Sequence, residues 1–446
     1  MALRVGEETM QTLQGKRILV MGLGAFGGGA GAARFCAEQG ARVTVTDLRT
    51  ESQLADSLRL LEGLPIRFRL GGHDAGDFSQ TDLVVVSPAV DRRHNAFLDA
   101  ARKSGAVLTS EIELLLERID RGRVIGVTGS AGKSTTVAMI GHILKAALGD
   151  ARVHVGGNIG GSLLGELAAI RPEDWVVLEL SSFMLESMFD WSPHVAVVTN
   201  LTNNHLDRHG TIAAYTAAKQ RILDFQRPGD ESVLGPGLPP EIHPRTRHHT
   251  ILRLPENGFP KLPIPGDHNR LNALLAIQAA RCAGVRFDSD DQAEKILQGF
   301  KGLPHRLELI CEHKGVRFFN DSKATTPEAA ILALDAFEPG IVHAILGGSD
   351  KHADLTPLAR HAARRSAALY TIGQTGDRLA DAAGTDGSAV HRCGTLPVAM
   401  DRAFAAARAG DVVLLSPGCA SYDQFSNFQE RGGLFRELAL RYTRHS

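Results

Sequence analysis

Residues 126 to 136 read Gly-Val-Thr-Gly-Ser-Ala-Gly-Lys-Ser-Thr-Thr, between a short apolar run and a helical pattern. This order is typical of a strand, a glycine-rich turn and a helix N-terminus, where backbone N–H groups surround phosphate oxygens. In such loops the lysine reaches the terminal phosphates and the next hydroxyl binds Mg²⁺. The residues predicted to bind phosphate are Gly129, Gly132, Lys133, Ser134 and Thr135.

The loop departs from the standard phosphate-binding pattern at one position. That pattern has a glycine five residues before Gly132, but Val127 occupies the place, and the nearest glycine, Gly126, is one residue away. The sequence therefore predicts a phosphate loop of a non-standard kind, and the departure is informative about the class of protein.

Size and composition indicate a globular protein with several domains. The 446 residues are enough for about three domains, with 43% hydrophobic and 22% charged residues. Lys and Arg total 49 and Asp and Glu total 50, so the net charge is −1. This balance predicts no nucleic-acid partner and no membrane surface.

The cysteines and the N-terminus predict a cytoplasmic location. The five cysteines show no CxxC spacing, and an odd number favours free thiols in a reducing compartment. The first 16 residues have acidic side chains and no apolar core, so no signal peptide is predicted. No apolar run approaches the ~18 residues that a spanning helix needs.

Strand-like apolar runs alternate with helical patterns almost throughout, which predicts parallel sheets covered by helices. A helix is expected over Gly28–Glu38. The expected strands are Arg17–Met21, Arg42–Thr46, Leu83–Ser87, Trp175–Leu180, Val195–Asn200, Ile341–Leu346, Ala368–Ile372 and Val412–Leu415. The fold class is therefore α/β.

Two breaks divide the chain into three predicted domains. A charged stretch at 118–123 and a Gly- and Pro-containing stretch at 299–304 mark them. The predicted domains are a Rossmann-like N-terminal domain (1–121), a central mononucleotide-binding domain of the P-loop type (122–302) and a Rossmann-like C-terminal domain (303–446). The segment 228–265 holds nine of the 19 prolines and is expected to be an irregular surface excursion.

A second glycine motif, Gly22-Leu23-Gly24-Ala25-Phe26-Gly27, lies between a predicted strand and helix. Asp47 follows 20 residues after Gly27, at the end of the next strand. This is the dinucleotide fingerprint, with a tight turn for a pyrophosphate and an acid for a ribose hydroxyl. Three interpretations stay open: an NAD enzyme, a turn needed only for packing, or a seat for a nucleotide diphosphate that is not a redox cofactor.

The middle of the chain offers further candidates for chemistry. Glu179 ends an apolar strand, where it faces the crevice in which ligands bind, and its carboxylate suits Mg²⁺. His205 and His209 are four residues apart, but Leu206 replaces the glutamate of the HExxH zinc motif, so no zinc site is predicted. Lys219 lies on a predicted helix over 211–225 and would, on its own, be taken for a solvated lysine.

Three polar clusters follow strands in the last third of the chain. They are Asn320–Thr325, Gly347–Lys351 and Ser416–Phe428. Loops that follow parallel strands lie at the same edge of a sheet, so the clusters together offer lysines and hydroxyls to a small anionic ligand. Each cluster taken singly is equally consistent with an ordinary turn.

These clusters, in this order, resemble the Mur ligase family, and the resemblance covers nearly the whole chain. Residues 128–136 are similar to that family's short phosphate loop, which accounts for the missing glycine. Further matches are Glu179–Phe183, Asn203–Arg208, His268–Asn272 and Pro304–Leu307 with Glu308. Asn320–Thr325 and Ser416–Phe428 resemble the glutamate-adding branch in particular.

The resemblance implies a role for each matching residue. Lys133, Ser134 and Glu179 would bind ATP phosphates and Mg²⁺, His205 would support a second Mg²⁺ site, and Lys219 would be the carbamylated lysine that bridges to metal. The catalytic set is thus Lys133, Glu179, His205 and Lys219, and the metal ligands are Ser134, Glu179, His205 and Lys219. Adenosine would be held by Asn269, Asn272, Arg306 and Asp321.

The substrates implied by the resemblance are UDP-N-acetylmuramoyl-L-alanine, D-glutamate and ATP. The residues expected at the UDP substrate are Gly24, Ala25, Phe26, Asp47, Ser87 and Asn158. The residues expected at glutamate are Thr325, Lys351, Ser421 and Phe428. The choice between D- and L-glutamate stays open, and a monomer is expected.

The implied reaction is ATP-driven amide formation. ATP phosphorylates the alanine carboxylate, and the glutamate amine then displaces phosphate through a tetrahedral intermediate. Closure of the C-terminal domain is expected to exclude water from the acyl phosphate. The rival classes are a nicotinamide-dependent oxidoreductase, which uses only the first glycine motif, and a nucleotide switch or transport ATPase, which needs no glutamate pocket.

Overall fold

The computed structural model describes residues 12–24, 27–188, 190–202, 206–255, 262–350, 352–384 and 387–444. The chain divides into two compact units. The first comprises Met1–Arg253 and Leu275–Arg286, and the second comprises Leu254–Leu274 and Phe287–Ser446.

The first unit begins with a parallel sheet of strand order β3-β2-β1-β4-β5. Its strands are β1 (Arg17–Met21), β2 (Arg42–Asp47), β3 (Ile66–Leu70), β4 (Leu83–Val86) and β5 (Val107–Thr109). The helices are α1 (Gly28–Glu38), α2 (Ala55–Arg59), α3 (Ala75–Ser79), α4 (Ala96–Lys103) and α5 (Glu111–Leu116). β2 and β4 flank β1 on opposite sides, so the strand order reverses between β1 and β4. In sheets of this kind a crevice forms at the carboxyl ends of the two strands where the order reverses, and ligands bind there.

A second parallel sheet in the same unit has the order β11-β10-β9-β6-β8-β7. Its strands are β6 (Val124–Thr128), β7 (Val153–Gly157), β8 (Trp175–Glu179), β9 (Val195–Val198), β10 (Glu231–Leu234) and β11 (His249–Ile251). The helices are α6 (Lys133–Leu148), α7 (Ser182–Ser187), α8 (Leu206–His209) and α9 (Ile212–Asp224). One buried apolar cluster contains residues of both sheets, so the two sheets of this unit share a core.

The sheet of the second unit has the order β12-β13-β17-β14-β15-β16 and is parallel except for the β12–β13 pair. Its strands are β12 (Glu308–His313), β13 (Val316–Asn320), β14 (Val342–Gly347), β15 (Ala368–Ile372), β16 (Ala389–Gly394) and β17 (Val412–Leu415). The helices are α10 (Asp267–Cys282, with residues in both units), α11 (Asp290–Gln298), α12 (Pro327–Leu334), α13 (Thr356–Arg365), α14 (Gly376–Ala383), α15 (Leu396–Ala406) and α16 (Phe428–Arg444). Apolar clusters cover both faces of this sheet.

The predicted α/β class and the alternation of strands and helices are confirmed. The strands expected over Arg42–Thr46, Leu83–Ser87, Trp175–Leu180 and Ile341–Leu346 differ from the observed ones by one residue at one or both ends. Two further expectations need a larger correction. The strand expected over 195–200 ends at Val198, because Thr199 and Asn200 turn out of the sheet to hold the phosphate loop. The proline-rich segment is not wholly irregular or superficial, since Glu231–Leu234 forms β10 and buries Val233 and Leu234. The boundaries after residues 121 and 302 remain predictions.

Candidate active site

The phosphate loop spans the gap between β6 and α6. Ser130 and Ala131 donate backbone N–H groups to the main-chain and side-chain oxygens of Asn200, at 2.9 Å each. Thr199 Oγ1 donates to the carbonyl of Ala131 at 2.6 Å. Gly129 has φ +144°, and a Cβ there would lie 2.0 Å from Thr199 Oγ1, so only glycine permits this close approach. The segment after β9 thus fixes the loop's shape.

The location of Val127 explains why the loop lacks the glycine of the standard pattern. The residue lies within β6, is fully buried, and pairs with Glu179 on one side and Val197 on the other. The turn starts only after Thr128, so the position at which the standard pattern has glycine belongs to the central strand of this sheet. Packing requires a β-branched apolar residue there, not a flexible one.

A carboxylate lies beside the loop at the end of β8. Glu179 is 2% exposed, and its Oε2 accepts a hydrogen bond from Ser134 Oγ at 2.6 Å. Asn158 Nδ2 donates to Glu179 Oε1 at 3.0 Å. A hydroxyl and a carboxylate in direct contact are oxygen ligands of the kind that Mg²⁺ prefers, usually with one or two carboxylates plus substrate phosphates. These residues therefore fit a magnesium ion bound with a nucleotide.

Two lysines converge on the same carbonyl oxygen. Lys133 Nζ donates to Gly129 O at 2.9 Å and to Ser130 O at 3.0 Å. Lys219 Nζ donates to Gly129 O at 2.8 Å and lies 3.3 Å from Thr128 Oγ1. Burial lowers the pKa of Lys219 well below its usual value, and the charge of Lys133 lowers it further. The amine of Lys219 is thus biased toward its neutral form.

Tyr215 supports this arrangement. Its hydroxyl lies 3.0 Å from Ser130 Oγ, and its ring faces Lys219 Nζ with 4.8 Å to the centroid. His209 packs against the ring edge of Tyr215, stacks on Phe183 and contacts Ser182 Oγ at 3.0 Å. In sequence, Tyr215 and Lys219 are four residues apart on a helix, which places them on one face. That spacing was the only available signal of the role of Tyr215.

At the end of β2 in the first sheet, Asp47 accepts hydrogen bonds from the backbone of the glycine loop and from the residue after Leu48. Its Oδ2 accepts the N–H groups of Leu23 at 2.9 Å and Gly24 at 3.3 Å, and its Oδ1 accepts that of Arg49 at 2.9 Å. Ser57 Oγ donates to Gly24 O at 2.6 Å. Ser87 follows β4, on the other side of the crevice. The described start of the glycine loop (residues 22 to 24), Asp47 and Ser87 therefore lie at the place where the sheet order predicts a ligand.

In the second unit, Asp321 is buried at the end of β13. Its Oδ2 accepts from Ser416 Oγ at 2.8 Å and its Oδ1 from the Leu307 N–H at 3.2 Å. Burial raises the pKa of Asp321 to about 7, against the effect of these bonds and of Arg306. Asn269 and Asn272 lie in the first turns of α10, and Asn272 Nδ2 lies 3.3 Å from Asn269 Oδ1. The structure shows these two groups of polar residues within one unit.

The three polar clusters of the last third follow β13, β14 and β17, and these strands are neighbours in the sheet. The prediction that the clusters share one edge is therefore confirmed. Ser322 Oγ donates to the carbonyl of Phe428 at 2.8 Å, and Gly418 N–H donates to Ala324 O at 3.0 Å. Ser421 is 2% exposed, whereas Thr325 and Phe428 are partly exposed.

Four predicted site residues lie outside the described residues: Ala25, Phe26, His205 and Lys351. Their roles stay predictions. Within the described part of the chain, no group of three or more His, Cys, Asp or Glu side chains is placed to hold a metal ion.

Relatives of known name resemble the chain over its full length. It is 40% identical to the UDP-N-acetylmuramoylalanine–D-glutamate ligase of Roseiflexus sp., with 97% of this chain and 100% of the relative covered. The chain belongs to the Mur ligase family. The enzyme of the same name from Acidobacterium capsulatum is 38% identical to this Mur ligase, with 96% and 97% covered.

Family models match each sheet-bearing region of this Mur ligase. Residues 16–109 match the Mur ligase MurD-like N-terminal domain, 127–235 the Mur ligase middle domain, and 305–419 the Mur ligase glutamate ligase domain. A whole-chain family assignment to ligases leaves the oxidoreductase interpretation of the glycine motif at residues 22–27 without support.

Solved structures show the same fold. The UDP-N-acetylmuramate–alanine ligase MurC of Thermotoga maritima superposes with a TM-score of 0.62 at 20% identity, covering 97% of this Mur ligase and 100% of that chain. The MurF ligase of Thermotoga maritima, solved in complex with ADP, gives 0.57 at 16% identity, with 97% and 100% covered.

The contacts of Glu179 lead to a prediction about Mg²⁺. Glu179→Gln keeps the size of the side chain but removes its negative charge. That charge stabilises the bound cation and so offsets the cost of dehydrating it. We expect the Mg²⁺ concentration for half-maximal ATP turnover to rise at least about 10-fold. The control is Glu166→Gln, whose side chain is 58% exposed beside His154. An unchanged Mg²⁺ requirement in Glu179→Gln would remove this residue from the metal site.

Proposed function

We propose that this Mur ligase uses ATP to join D-glutamate to UDP-N-acetylmuramoylalanine, in the synthesis of peptidoglycan precursors. The observation that carries the proposal is the likeness over the full chain to relatives that bear this ligase's name. The phosphate loop, with Ser134 and Glu179 in contact, supports the use of ATP. The polar loops at one sheet edge of the second unit support an anionic amino acid.

Amide formation from a carboxylate is uphill in water, so the alanine carboxylate must first be activated. Its oxygen attacks the γ-phosphorus of ATP and ADP leaves, which gives an acyl phosphate. The glutamate amine then attacks the acyl carbon, and phosphate leaves with the bonding pair while the amine loses a proton. Catalysis of such steps consists mainly of positioning and charge neutralisation.

Lys133 is proposed to neutralise the phosphates. Its ammonium group donates hydrogen bonds to the loop carbonyls of Gly129 and Ser130. From this position it could reach a phosphate bound on the loop. Mg²⁺ held by Ser134 and Glu179 would supply additional positive charge to the phosphates. Gly132 precedes the first turn of α6, so the N–H groups of Lys133 and Ser134 are directed to the same anion.

Lys219 is proposed to be carbamylated. Only a neutral amine reacts with CO₂, and burial together with the charge of Lys133 favours that form of Lys219. The product would carry a carboxylate-like group beside Glu179 and Lys133. Such a group would provide metal-ligating oxygen at a position where the unmodified lysine provides none. His205 is proposed to assist the second metal.

The remaining predicted site residues are proposed to bind the substrates that the sequence analysis assigned to them. Asn269, Asn272, Arg306 and Asp321 are assigned to adenosine. Gly24, Ala25, Phe26, Asp47, Ser87 and Asn158 are assigned to the UDP substrate. Thr325, Lys351, Ser421 and Phe428 are assigned to glutamate, with the cation of Lys351 as the partner of its side-chain carboxylate. A cytoplasmic site of action and a monomeric enzyme are also proposed.

One structural result bears on the membrane. None of the helices in the described ranges combines the length and the apolar character needed to cross a bilayer.

The test of the proposed function is phosphate release from ATP with UDP-N-acetylmuramoyl-L-alanine and one amino acid at a time. We expect turnover with D-glutamate and at least about 100-fold lower kcat/KM with D-glutamine, because a site built for a charged group rejects an analogue that leaves it unpaired. The same is expected with L-glutamate and D-aspartate, whose inverted centre or shorter chain moves the carboxylate away from its partner. Amide formation is confirmed by mass spectrometry. Equal turnover without any amino acid would contradict ligation, and preference for L-glutamate would overturn the choice of substrate.

A further inference from the structure

Arg431 is the largest side chain in the described residues that is almost fully buried, and it lies one turn into α16. It is 1% exposed, and burial lowers the pKa of its guanidinium group to about 10. The group therefore stays protonated at neutral pH. Buried charges are normally paired with an opposite charge. Among the described residues, however, no carboxylate lies within ion-pair distance of this guanidinium; Asp423 acts on it electrostatically but accepts its hydrogen bond from Gln374 N–H instead.

Its hydrogen bonds instead go to two of the three polar loops. Nε donates to Ser322 Oγ at 3.0 Å and Nη2 to Ser322 O at 2.8 Å, in the loop after β13. Nη1 donates to Cys419 O at 3.1 Å and Ala420 O at 3.2 Å, in the loop after β17. One planar group with five N–H donors thus ties together two backbone segments.

The third loop also meets the guanidinium group. A Cβ built on Gly348, in the loop after β14, would lie 3.1 Å from Nη1 of Arg431, so the glycine permits the backbone to approach the cation. The adjacent Ser349 N–H donates to Ala420 O at 2.8 Å, the same carbonyl that accepts from Arg431. Arg431 therefore bonds the loops after β13 and β17 directly and is linked to the loop after β14 through Ala420 O.

Each residue assigned to glutamate in the described part of these loops is close to this junction. Ser421 directly follows Ala420, and the carbonyl of Phe428 accepts from the same Ser322 hydroxyl that accepts from Arg431. The carbonyl of Ala324, which precedes Thr325, accepts from Gly418 N–H and so connects the loop after β13 to the loop after β17. A shift of the guanidinium group would move all of these positions together.

We propose that Arg431 is a positioning residue for the amino-acid substrate: it holds the three loops as one platform, and its buried charge, which has no carboxylate within ion-pair distance in the described residues, favours an acidic amino acid over a neutral one. The proposal rests on the proposed function in taking glutamate as that amino acid. Arg431 itself is placed to act through Ser322, Cys419 and Ala420, since its donors are engaged with their oxygens.

The test uses the full-length enzyme with Arg431→Lys and Arg431→Met. Arg431→Lys keeps the charge but lacks the planar fork, so we expect the KM for D-glutamate to rise about 10-fold, with KM for ATP within twofold of the parent. Arg431→Met also removes the charge, so we expect a rise of roughly 100-fold and a smaller ratio of kcat/KM for D-glutamate over D-glutamine. Arg436→Met is the control, since Arg436 lies on the same helix but pairs with Glu308.

A second measurement does not depend on turnover. Hydrogen exchange should accelerate together in residues 321–325, 348–350 and 416–427 of Arg431→Lys, whereas amides of β14, β15 and β17 keep their protection. Ser322→Ala removes the link to Phe428 and one of the four hydrogen bonds of Arg431 but keeps the guanidinium group and its other three bonds, so it should raise KM for D-glutamate by a smaller factor.

The outcomes separate this proposal from the proposed function. If the parent enzyme does not use D-glutamate, the proposed function fails, and the same variants are compared with the amino acid that it does use. The role of Arg431 is overturned if Arg431→Lys retains the parent KM for that amino acid and the parent exchange in the three loops. It is also overturned if KM for ATP rises by the same factor, or if all amides of the unit lose protection together.

Discussion

Lys133→Ala is expected to lower kcat for amide formation by about 10³-fold or more, because the phosphates lose a cation that the loop places beside them. Lys133 Nζ donates to the carbonyls of Gly129 and Ser130, at the start of α6, so the variant also removes these two hydrogen bonds, and its melting temperature is measured beside its activity. The measurement is single-turnover formation of ADP and of the amide product, with ATP at saturating concentration.

Lys145→Ala is the matched control for this variant. Lys145 lies on the same helix, in its last turn and about 18 Å along the axis from Lys133. It should retain turnover within about twofold, with melting temperatures of both variants near that of the parent. Full activity of Lys133→Ala would refute the assignment of the phosphate loop.

Lys219→Ala is expected to lower kcat by about 10²-fold or more and to regain part of it when acetate or formate is added. The residue is 1% exposed, and its contacts are Thr128 Oγ1 and Gly129 O, beside the phosphate loop. A small carboxylate can occupy the space left by the side chain and supply the oxygens that a carbamate would have offered. The measurement is kcat as a function of carboxylate concentration.

The modification itself is measured by ¹³C NMR of the parent enzyme in ¹³C-bicarbonate, where a carbamate signal should appear and be missing in Lys219→Ala. Acetate should leave Lys145→Ala unchanged, which excludes a general effect of the salt. Carbamylation is ruled out if the parent enzyme keeps full activity in CO₂-free buffer while its lysine is unmodified. Absence of rescue together with a lowered melting temperature would assign Lys219 a structural role instead.

Much of the fold was predictable because short apolar runs and glycine turns report local structure directly. Arg17–Met21, Gly28–Glu38, Ala368–Ile372 and Val412–Leu415 have the bounds expected from the sequence. Errors arose where a side chain's contacts decide the outcome, as at Thr199 and Asn200, which leave the strand to bind the phosphate loop. Periodicity alone carries no information about such contacts.

The contact between Ser134 and Glu179 was predictable in kind, since Glu179 ends β8 and Ser134 begins the helix after the neighbouring parallel strand β6. The burial of Lys219 and the resulting decrease in its pKa were not predictable from the residues alone, because a lysine on a helix looks solvated until the surrounding residues are known. The role of Arg431 could not be predicted from the sequence. Its partner Ser322 is 109 residues away along the chain, and a lone arginine on a helix matches no motif.

The mutual bonds among the three loops limit how the acceptor preference of such a ligase can change. Ser349 bonds Ala420, Gly418 bonds Ala324, and Ser322 bonds Phe428, so inserting or deleting a residue in one loop would displace the other two. New amino-acid specificities would therefore arise through side-chain exchange on an unchanged backbone. Library design aimed at other acceptors should vary Thr325, Ser421 and the exposed Tyr422 and leave loop lengths alone.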